Sequence, residues 1–268
     1  MSATTNGHPR FAPGTFTPAP GRGKLGHMLL AHARVEASLT LRHGEQILLT
    51  LLIPMALLIG LSLLNILPAA DLGSTSKVDW VTPRILALAV MSSAFTGQAI
   101  ALGFDRRYGV LKRLSTTALP PWLLVAGRVV AALVVVALQA IALGVVAALL
   151  GWSPSPGGLV TAVVFLFAGT LSFGALGVLL GGSLRAEAVL ALANIIWFVL
   201  LLAGGILLAP SSLPGAFGDI VGLLPSGALA EGLRAALVDG TFAWGPLAVL
   251  VVWAVAVGAL ATRTTKLT

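Results

Sequence analysis

The sequence contains no cysteine, and only 9% of its 268 residues are charged. The missing cysteines exclude disulfides, thiolate metal sites and cysteine nucleophiles. A soluble domain carries roughly 25% charged residues, so a chain this poor in charge cannot cover its surface with polar groups in water. Histidine is also confined: His8, His27, His32 and His43 all precede the first long apolar run, which excludes a haem or metal cluster built from imidazole inside such a run.

Other chemistries lack their motifs. The chain has no Gly-x-x-x-x-Gly-Lys-Ser/Thr phosphate loop, so it does not bind ATP in that way. No apolar run holds two acidic residues, which argues against an intramembrane aspartyl dyad. None carries an ionisable residue in its middle, where a proton-coupled carrier usually keeps one.

Long apolar runs dominate what remains, because 57% of the residues are hydrophobic and the mean hydropathy is +1.01. Each run is long enough to cross a hydrocarbon core of roughly 30 Å as a helix. Arg84 and Arg128 lie at run ends, where we expect their long side chains to reach toward water. The sequence predicts an all-α membrane protein with six transmembrane helices, at 47–67, 85–104, 123–150, 159–181, 188–209 and 243–261.

The segments around this six-span domain, residues 47–262, have compositions of their own. Residues 1–24 are rich in proline and glycine, which predicts a disordered tail. Residues 25–46 repeat apolar side chains at helical spacing, which favours a helix lying along the membrane interface. Residues 210–242 are apolar but broken by three prolines, which indicates short helices in the outer leaflet or packed on the outer face. Residues 263–268 form the C-terminus.

Basic residues near the span ends predict the orientation. One side carries most of them, and the richer side should be cytoplasmic, with both termini inside. We therefore expect the inner membrane of a cell as the location. The richer side holds Arg34, Arg42, Arg106, Arg107, Lys112, Arg113, Arg128, Arg185, Arg263 and Lys266, and the other holds Lys77, Arg84 and Arg234.

The connection between the second and third spans has one apolar helical face. Phe104, Tyr108, Leu111 and Leu114 are spaced four, three and three residues apart. A short amphipathic helix here could anchor the connection among lipid headgroups, or it could insert into a partner protein. Periodicity alone favours neither.

Polar and small residues inside the spans also allow two interpretations. Uncharged polar side chains most often bond between helices, and the alternative is that they line a substrate path. They are Ser92, Ser93, Thr96, Gln98, Gln139 and Asn194. The fourth span has a small-residue face of Ser172, Gly174, Gly177, Gly181 and Gly182, which predicts close helix packing within one chain or across a dimer.

The order of three segments resembles the type-2 permease subunits of ATP-binding-cassette exporters. The first runs from Arg42 to Pro54, the second is residues 104–114 followed by Pro120, and the third extends from Glu187 through Asn194 to residues 231–237. The second differs from the family's usual pattern, because Asp105 is followed by two arginines. In the third, residues 226–228 are Ser-Gly-Ala where an aromatic is common.

The resemblance implies a permease that performs no chemistry itself. Two permease chains would pair, homo- or heterodimeric, and each would dock a separate ATPase subunit that holds ATP and Mg²⁺; no cofactor is expected on this chain. The residues implied in coupling to the ATPase are Asp105, Arg106, Arg107, Tyr108, Gly109, Leu111, Lys112, Arg113 and Leu114. Tyr108, Leu111 and Leu114 would form an apolar knob, Gly109 would allow close backbone approach, and the charged residues would form a polar rim.

The resemblance further implies that the first, second and fifth spans face the dimer axis, with Gln98 and Asn194 lining the path. An apolar path with few polar groups favours a hydrophobic or amphipathic cargo, such as a drug, an antibiotic or a lipid-like compound. Two alternatives remain: a stand-alone secondary carrier or channel, which would need an inverted repeat or a midplane ionisable residue, and a non-transporting membrane assembly subunit.

Overall fold

The computed structural model describes residues 24–42, 44–64, 75–114, 120–207 and 215–264. These residues are helical with short connections, and no strand occurs among them, as the all-α prediction requires. The predicted tail, residues 1–24, lies almost wholly outside them. The helices are α1 (Leu25–Arg42), α2 (Gly44–Leu63), α3 (Lys77–Arg107), α4 (Val110–Leu114), α5 (Pro121–Leu149), α6 (Pro156–Ser183), α7 (Ala186–Ala203), α8 (Ala216–Gly222), α9 (Pro225–Asp239) and α10 (Trp244–Thr264).

Five helices are long and apolar enough to cross a membrane: α3, α5, α6, α7 and α10. They confirm the predicted second, third, fourth and sixth spans as helices. The fifth, predicted at 188–209, is helical only to Ala203, and residues 204–207 have left the helix. The predicted first span corresponds to α2, whose apolar part, Thr50–Leu63, is shorter than the others. Its predicted last residues, 65–67, lie outside the described part of the chain. The predicted pair of short helices is present as α8 and α9, which meet at a bend of 84°.

Helix α3 extends beyond its apolar run at both ends. Its N-terminus is capped by Ser76, and its last turn carries Arg106 and Arg107. The Ser76 hydroxyl oxygen accepts a hydrogen bond from the backbone N–H of Asp79, which satisfies an otherwise unpaired donor of the first turn. The backbone then widens into a π-helical segment, Met91–Gly97, before continuing as α-helix to Arg107. π-Helical segments are rare in proteins, and those that do occur are often found at functional sites.

The small-residue face of α6 packs against α3 within the same chain. A side-chain carbon added at Gly177 would lie 2.9 Å from the carbonyl oxygen of Phe95, and one added at Gly181 would lie 2.5 Å from that of Ala99. Both distances are too short for any side chain. The structure thus selects packing within one chain and explains the Gly-x-x-x-Gly spacing, since only glycine lets the two backbones approach this closely.

Helix α9 is buried among α3, α6 and α10, and its position in the outer leaflet stays a prediction. Gly232 makes this packing possible, because an added side-chain carbon would fall 2.4 Å from the Phe165 ring. A hydrogen bond from α10 holds the bend between α8 and α9. The Trp253 indole N–H donates to the Leu223 carbonyl oxygen at 2.9 Å.

The bundle has two ends of different charge. We call the end that contains Arg107, Arg128, Arg185 and Arg263 the basic end. There the C-termini of α3, α6 and α10 meet the N-termini of α5 and α7. At the opposite end, Ser153 N–H donates to Asp79 at 3.1 Å, and Ser155 N–H donates to the Leu237 carbonyl oxygen at 3.1 Å.

Arg84 does not extend toward water, so that expectation is wrong. Its side chain is only 4% exposed, its guanidinium lies 3.7 Å from the centre of the Trp80 ring, and one N–H donates to the Trp80 carbonyl oxygen at 2.9 Å. The sequence contains the reason. Trp80 precedes Arg84 by one helical turn, and an aromatic face attracts a cation.

Candidate functional site

Residues 104–114 do not form the single short amphipathic helix that their spacing predicts. Helix α3 ends at Arg107, the chain turns at Tyr108 and Gly109, and α4 begins at Val110. Gly109 has a φ of +69°, a left-handed conformation that costs other residues energy. In this structure nothing lies within 4 Å of a side-chain carbon added there. Gly109 therefore serves the turn, and its close approach to a partner stays a prediction.

Asp105 ties this segment to α5. The Arg128 guanidinium donates to the Asp105 carboxylate, and the Arg128 side chain is 8% exposed against 31% for Asp105. Arg128 was expected to reach toward water, and that expectation is wrong. Asp105 lies at the end of the second span and Arg128 near the start of the third. Two opposite charges at neighbouring span ends on one side of the membrane are the sequence feature from which this ion pair could have been predicted.

Arg106 and Arg107 tie the same segment to the turn between α6 and α7. Arg106 donates to the carbonyl oxygens of Gly181 at 3.1 Å and Leu184 at 3.2 Å, at the C-terminus of α6. A cation is favoured there because the last carbonyls of a helix lack partners and carry partial negative charge. Arg107 donates to Glu187 in the first turn of α7.

The apolar residues of the segment divide between the inside and the outside of the chain. Leu111 is only 4% exposed and packs with Leu102, Val178 and Ala261. Leu111 is therefore not part of an exposed apolar knob in this structure. Its side chain instead fills the space where α3, α6 and α10 meet. Leu114 is half-buried against the same cluster, and Tyr108 is 64% exposed beside the Phe104 ring.

A basic cleft of about 640 Å³ opens next to these contacts. Its walls are the end of α3, the start of α4 and the connection between α6 and α7. Four cations and one acid line it, namely Arg106, Arg107, Lys112, Arg185 and Glu187. Lys112 and Arg113 are both exposed. The exposed Tyr108 does not line the cleft but lies in the chain between two residues that do, Arg107 and Gly109.

Helix α1 packs directly on α5 at the basic end. His32 is 9% exposed, and its Nε2 lies 3.4 Å from the carbonyl oxygen of Leu124. A side-chain carbon added at Gly127 would fall 2.2 Å from the His32 ring, so Gly127 leaves room for this histidine. A helix is thus present at Leu25–Arg42, within the predicted range 25–46, and rests on the first turns of α5; its place along the membrane interface stays a prediction.

Ser92 and Ser93 of the π-helical segment bond to two neighbouring helices, α7 and α5, and Gln139 of α5 bonds in turn to α2. Ser93 donates to the Gln139 side-chain oxygen at 2.6 Å, and the Gln139 amide donates to Thr50 at 3.2 Å. The Trp197 indole donates to Ser92 at 2.9 Å. Gln139 is 1% exposed. The structural interpretation of these polar residues therefore holds for Ser92, Ser93 and Gln139, which connect α2, α3, α5 and α7.

Gln98 and Asn194 line two different cavities. Gln98 borders a cavity of about 310 Å³ between α1, α2, α3 and α5. Asn194 borders one of about 260 Å³ between α2, α3 and α7. The two cavities share Thr50 and Gly97 as wall residues. The Asn194 amide donates only along its own helix, to the Leu190 carbonyl oxygen at 2.8 Å, and the residue is exposed.

Residues 231–237, which resemble the family signature, have structural roles at the end opposite the basic end. The Arg234 guanidinium donates to Glu231 at 2.7 Å and to Asp239 at 3.1 Å. Gly232 packs on Phe165, and Leu233, Ala236 and Leu237 are buried in the core. The apolar contacts hold α9 in the bundle, whereas the Arg234 contacts lie within α9 itself. In the described part of the chain, no three acidic or histidine side chains come close enough to hold a metal ion.

Comparison with protein families gives one match: the model of the ABC-2 type transporter fits residues 30–238, from α1 to the end of α9. No curated protein sequence matches the chain. The matched region contains the basic-end segment, the π-helical segment and the bent pair α8–α9. Because the match covers most of the chain, the protein belongs to the ABC-2 type transporter family, as a membrane-embedded permease subunit of an ABC transporter.

Proposed function

We propose that the chain forms the translocation pathway of an ABC exporter as a dimer and is driven by a separate ATPase subunit that docks at the basic end. The contacts of residues 105–107 support this most directly. They join one short segment to α5, α6 and α7 through Arg128, Gly181, Leu184 and Glu187. A partner that moves this segment therefore pulls on three membrane-spanning helices as well as on α3 itself.

The surface beside these contacts has the chemistry of a protein-binding site. Tyr108 is an exposed aromatic, and aromatic residues are enriched among the few side chains that dominate binding energy at interfaces. The basic cleft next to it favours a partner with acidic groups. In this proposal Tyr108 and Leu114 contact the ATPase, Lys112 and Arg113 form the rim, and Leu111 holds α4 on the chain. The excess of cations at this end supports a cytoplasmic location for it.

The exposed faces of the spans support a dimer. Only 28% of the residues of α7 are buried inside the chain. Its exposed side chains include Ile195, Phe198 and Val199, and Asn194 lies among them. A second permease chain covering α7 and α2 would place the Asn194 cavity at the subunit boundary, as expected for a pathway between two copies. The apolar walls of that cavity suit a hydrophobic or amphipathic cargo.

Co-purification with the ATPase tests the docking surface. Tyr108→Ala should weaken association about 30-fold or more, the effect of losing one dominant interface residue. Phe217→Ala is the matched control, since Phe217 is a similarly exposed aromatic on α8, away from the basic end. Membrane insertion should be unchanged in both variants. Wild-type association of the Tyr108→Ala chain, or a wild-type chain that binds no ATPase, would refute the docking proposal.

A further inference from the structure

The cavity lined by Gln98 has features of a ligand site that packing does not explain. It has a volume of about 310 Å³, within the range of roughly 300–1,000 Å³ of small-molecule pockets. It lies between α1, α2, α3 and α5, on the other side of Thr50 and Gly97 from the Asn194 cavity. Its wall is formed by Glu36, Leu39, Thr40, Thr50, Ser93, Gly97, Gln98, Ala101, Asp105, Val110, Arg128, Ala132 and Val135.

Among the described residues, the charged part of the wall carries one negative charge in excess. Arg128 is the one cation among these described wall residues and is paired with Asp105, so these two charges offset each other. Glu36 is the remaining ion, with a side chain that is 19% exposed. Its carboxylate is therefore the group in this wall that a ligand of opposite charge can neutralise.

His32 lies beside Glu36 but is not part of the cavity wall. Its Nε2 lies 3.8 Å from the Glu36 carboxylate and 3.4 Å from the Leu124 carbonyl oxygen. A carbonyl oxygen can only accept, so this nitrogen carries a hydrogen and donates to Leu124. The ring therefore makes no hydrogen bond to the Glu36 carboxylate, because 3.8 Å is beyond hydrogen-bonding distance.

The rest of the cavity wall contains both apolar and uncharged polar side chains. Leu39, Ala101, Ala132 and Val135 are apolar, and Thr50, Ser93 and Gln98 are polar without charge. An amphiphile matches both surfaces if its head is cationic and its tail is hydrocarbon. An anionic head would instead meet the Glu36 carboxylate, and like charges repel.

We propose that this cavity binds an amphiphile with a positively charged amine, with the amine against Glu36 and the hydrocarbon along Ala101, Ala132 and Val135. As a cargo site it rests on the proposed transport function and narrows the cargo to cationic amphiphiles. The binding itself needs no ATPase, so it can be measured on the permease chain alone.

The experiment measures equilibrium binding of radiolabelled dodecylamine to the full chain in lipid nanodiscs, with empty nanodiscs subtracted. Saturable binding is expected, displaced by unlabelled dodecylamine and not by equal concentrations of dodecyl sulfate or dodecanol. Glu36→Gln should raise the dissociation constant about tenfold or more, because it removes a charge-assisted hydrogen bond. Asp219→Asn removes an exposed acid on α8 and should leave the dissociation constant unchanged.

A steric variant makes the test independent of charge. Ala101→Phe fills the cavity and should abolish saturable binding, while Glu36→Asp should retain it; the thermal unfolding midpoint checks that each variant is folded. Unchanged affinity in folded Glu36→Gln, or displacement by dodecyl sulfate as strong as by dodecylamine, would overturn the proposal. Because no ATPase is present, neither result depends on whether the chain docks one.

Discussion

Arg128, at the start of α5, donates to Asp105, at the end of α3, and its guanidinium is almost completely buried. This ion pair joins two spans that are consecutive in the chain at the base of the segment proposed to bind an ATPase. Its burial distinguishes it from the neighbouring pair Arg107–Glu187, whose side chains are 50% and 66% exposed. The two pairs therefore make a matched comparison.

Asp105→Asn should destabilise the chain strongly, because it leaves the buried Arg128 charge without its counterion. Removing one partner of a buried pair costs about 3–5 kcal/mol. Glu187→Gln removes the carboxylate from the exposed pair and should cost less than about 1 kcal/mol. Unfolding of the two variants in the same detergent measures the difference. Equal loss of stability in both would contradict the role assigned to burial.

Gly181→Ala should destabilise the packing of α6 on α3, since the added carbon would lie 2.5 Å from the Ala99 carbonyl oxygen. Overpacking of this kind costs about 1–3 kcal/mol. Gly174→Ala is the control in the same helix, because nothing lies within 4 Å of the added carbon. It should be neutral or slightly stabilising. Thermal unfolding of both variants tests this, and an equally stable Gly181→Ala chain would argue against the close backbone contact.

Gly109→Ala should disturb the turn between α3 and α4, because alanine is strained at a φ of +69°. Gly109→Asn should be milder, since asparagine tolerates this conformation better than other residues that have a side chain. Hydrogen exchange of the amides of residues 108–114 measures the effect, and faster exchange is expected in the alanine variant. If alanine and asparagine give the same exchange as glycine, the left-handed turn is not required.

Gln139→Leu and Asn194→Leu should separate stability from transport. The Gln139 side chain connects α3 and α2, so its loss should lower stability by about 0.6 kcal/mol for each interhelical bond broken. The Asn194 amide bonds only within α7, so Asn194→Leu should leave stability near wild type and change transport. Unfolding midpoints and transport rates of both variants are the readouts. A large loss of stability in Asn194→Leu would assign it a structural role instead.

Much of the fold follows from composition, and the partners of individual side chains do not. Runs of apolar residues predict helices in lipid regardless of tertiary context, which is why the second, third, fourth and sixth spans are confirmed. Leu111 shows where this reasoning ends. Its spacing from Tyr108 and Leu114 is that of an amphipathic surface helix, but the gap it fills is created by α6 and α10, which are distant in sequence.

The sequence predicts where the candidate site lies in the chain, but not which residues its side chains contact. Residues 105–107 were identified through family resemblance, and their charges suggested a polar rim for a partner. The structure pairs all three inside the chain, with Arg128, with the C-terminus of α6 and with Glu187. Those partners could not be predicted, because helix spacing along one segment does not show which other span ends lie beside it.

ATP-driven transport in sealed membrane vesicles tests the central proposal most directly. The chain and its ATPase would be reconstituted together, and movement of a cationic amphiphile such as dodecylamine would be followed with and without ATP. The proposed function predicts transport that requires ATP, requires the ATPase subunit and is strongly reduced by Tyr108→Ala. Transport by the permease chain alone, independent of ATP and abolished when the proton gradient is collapsed, would contradict it and identify a secondary carrier.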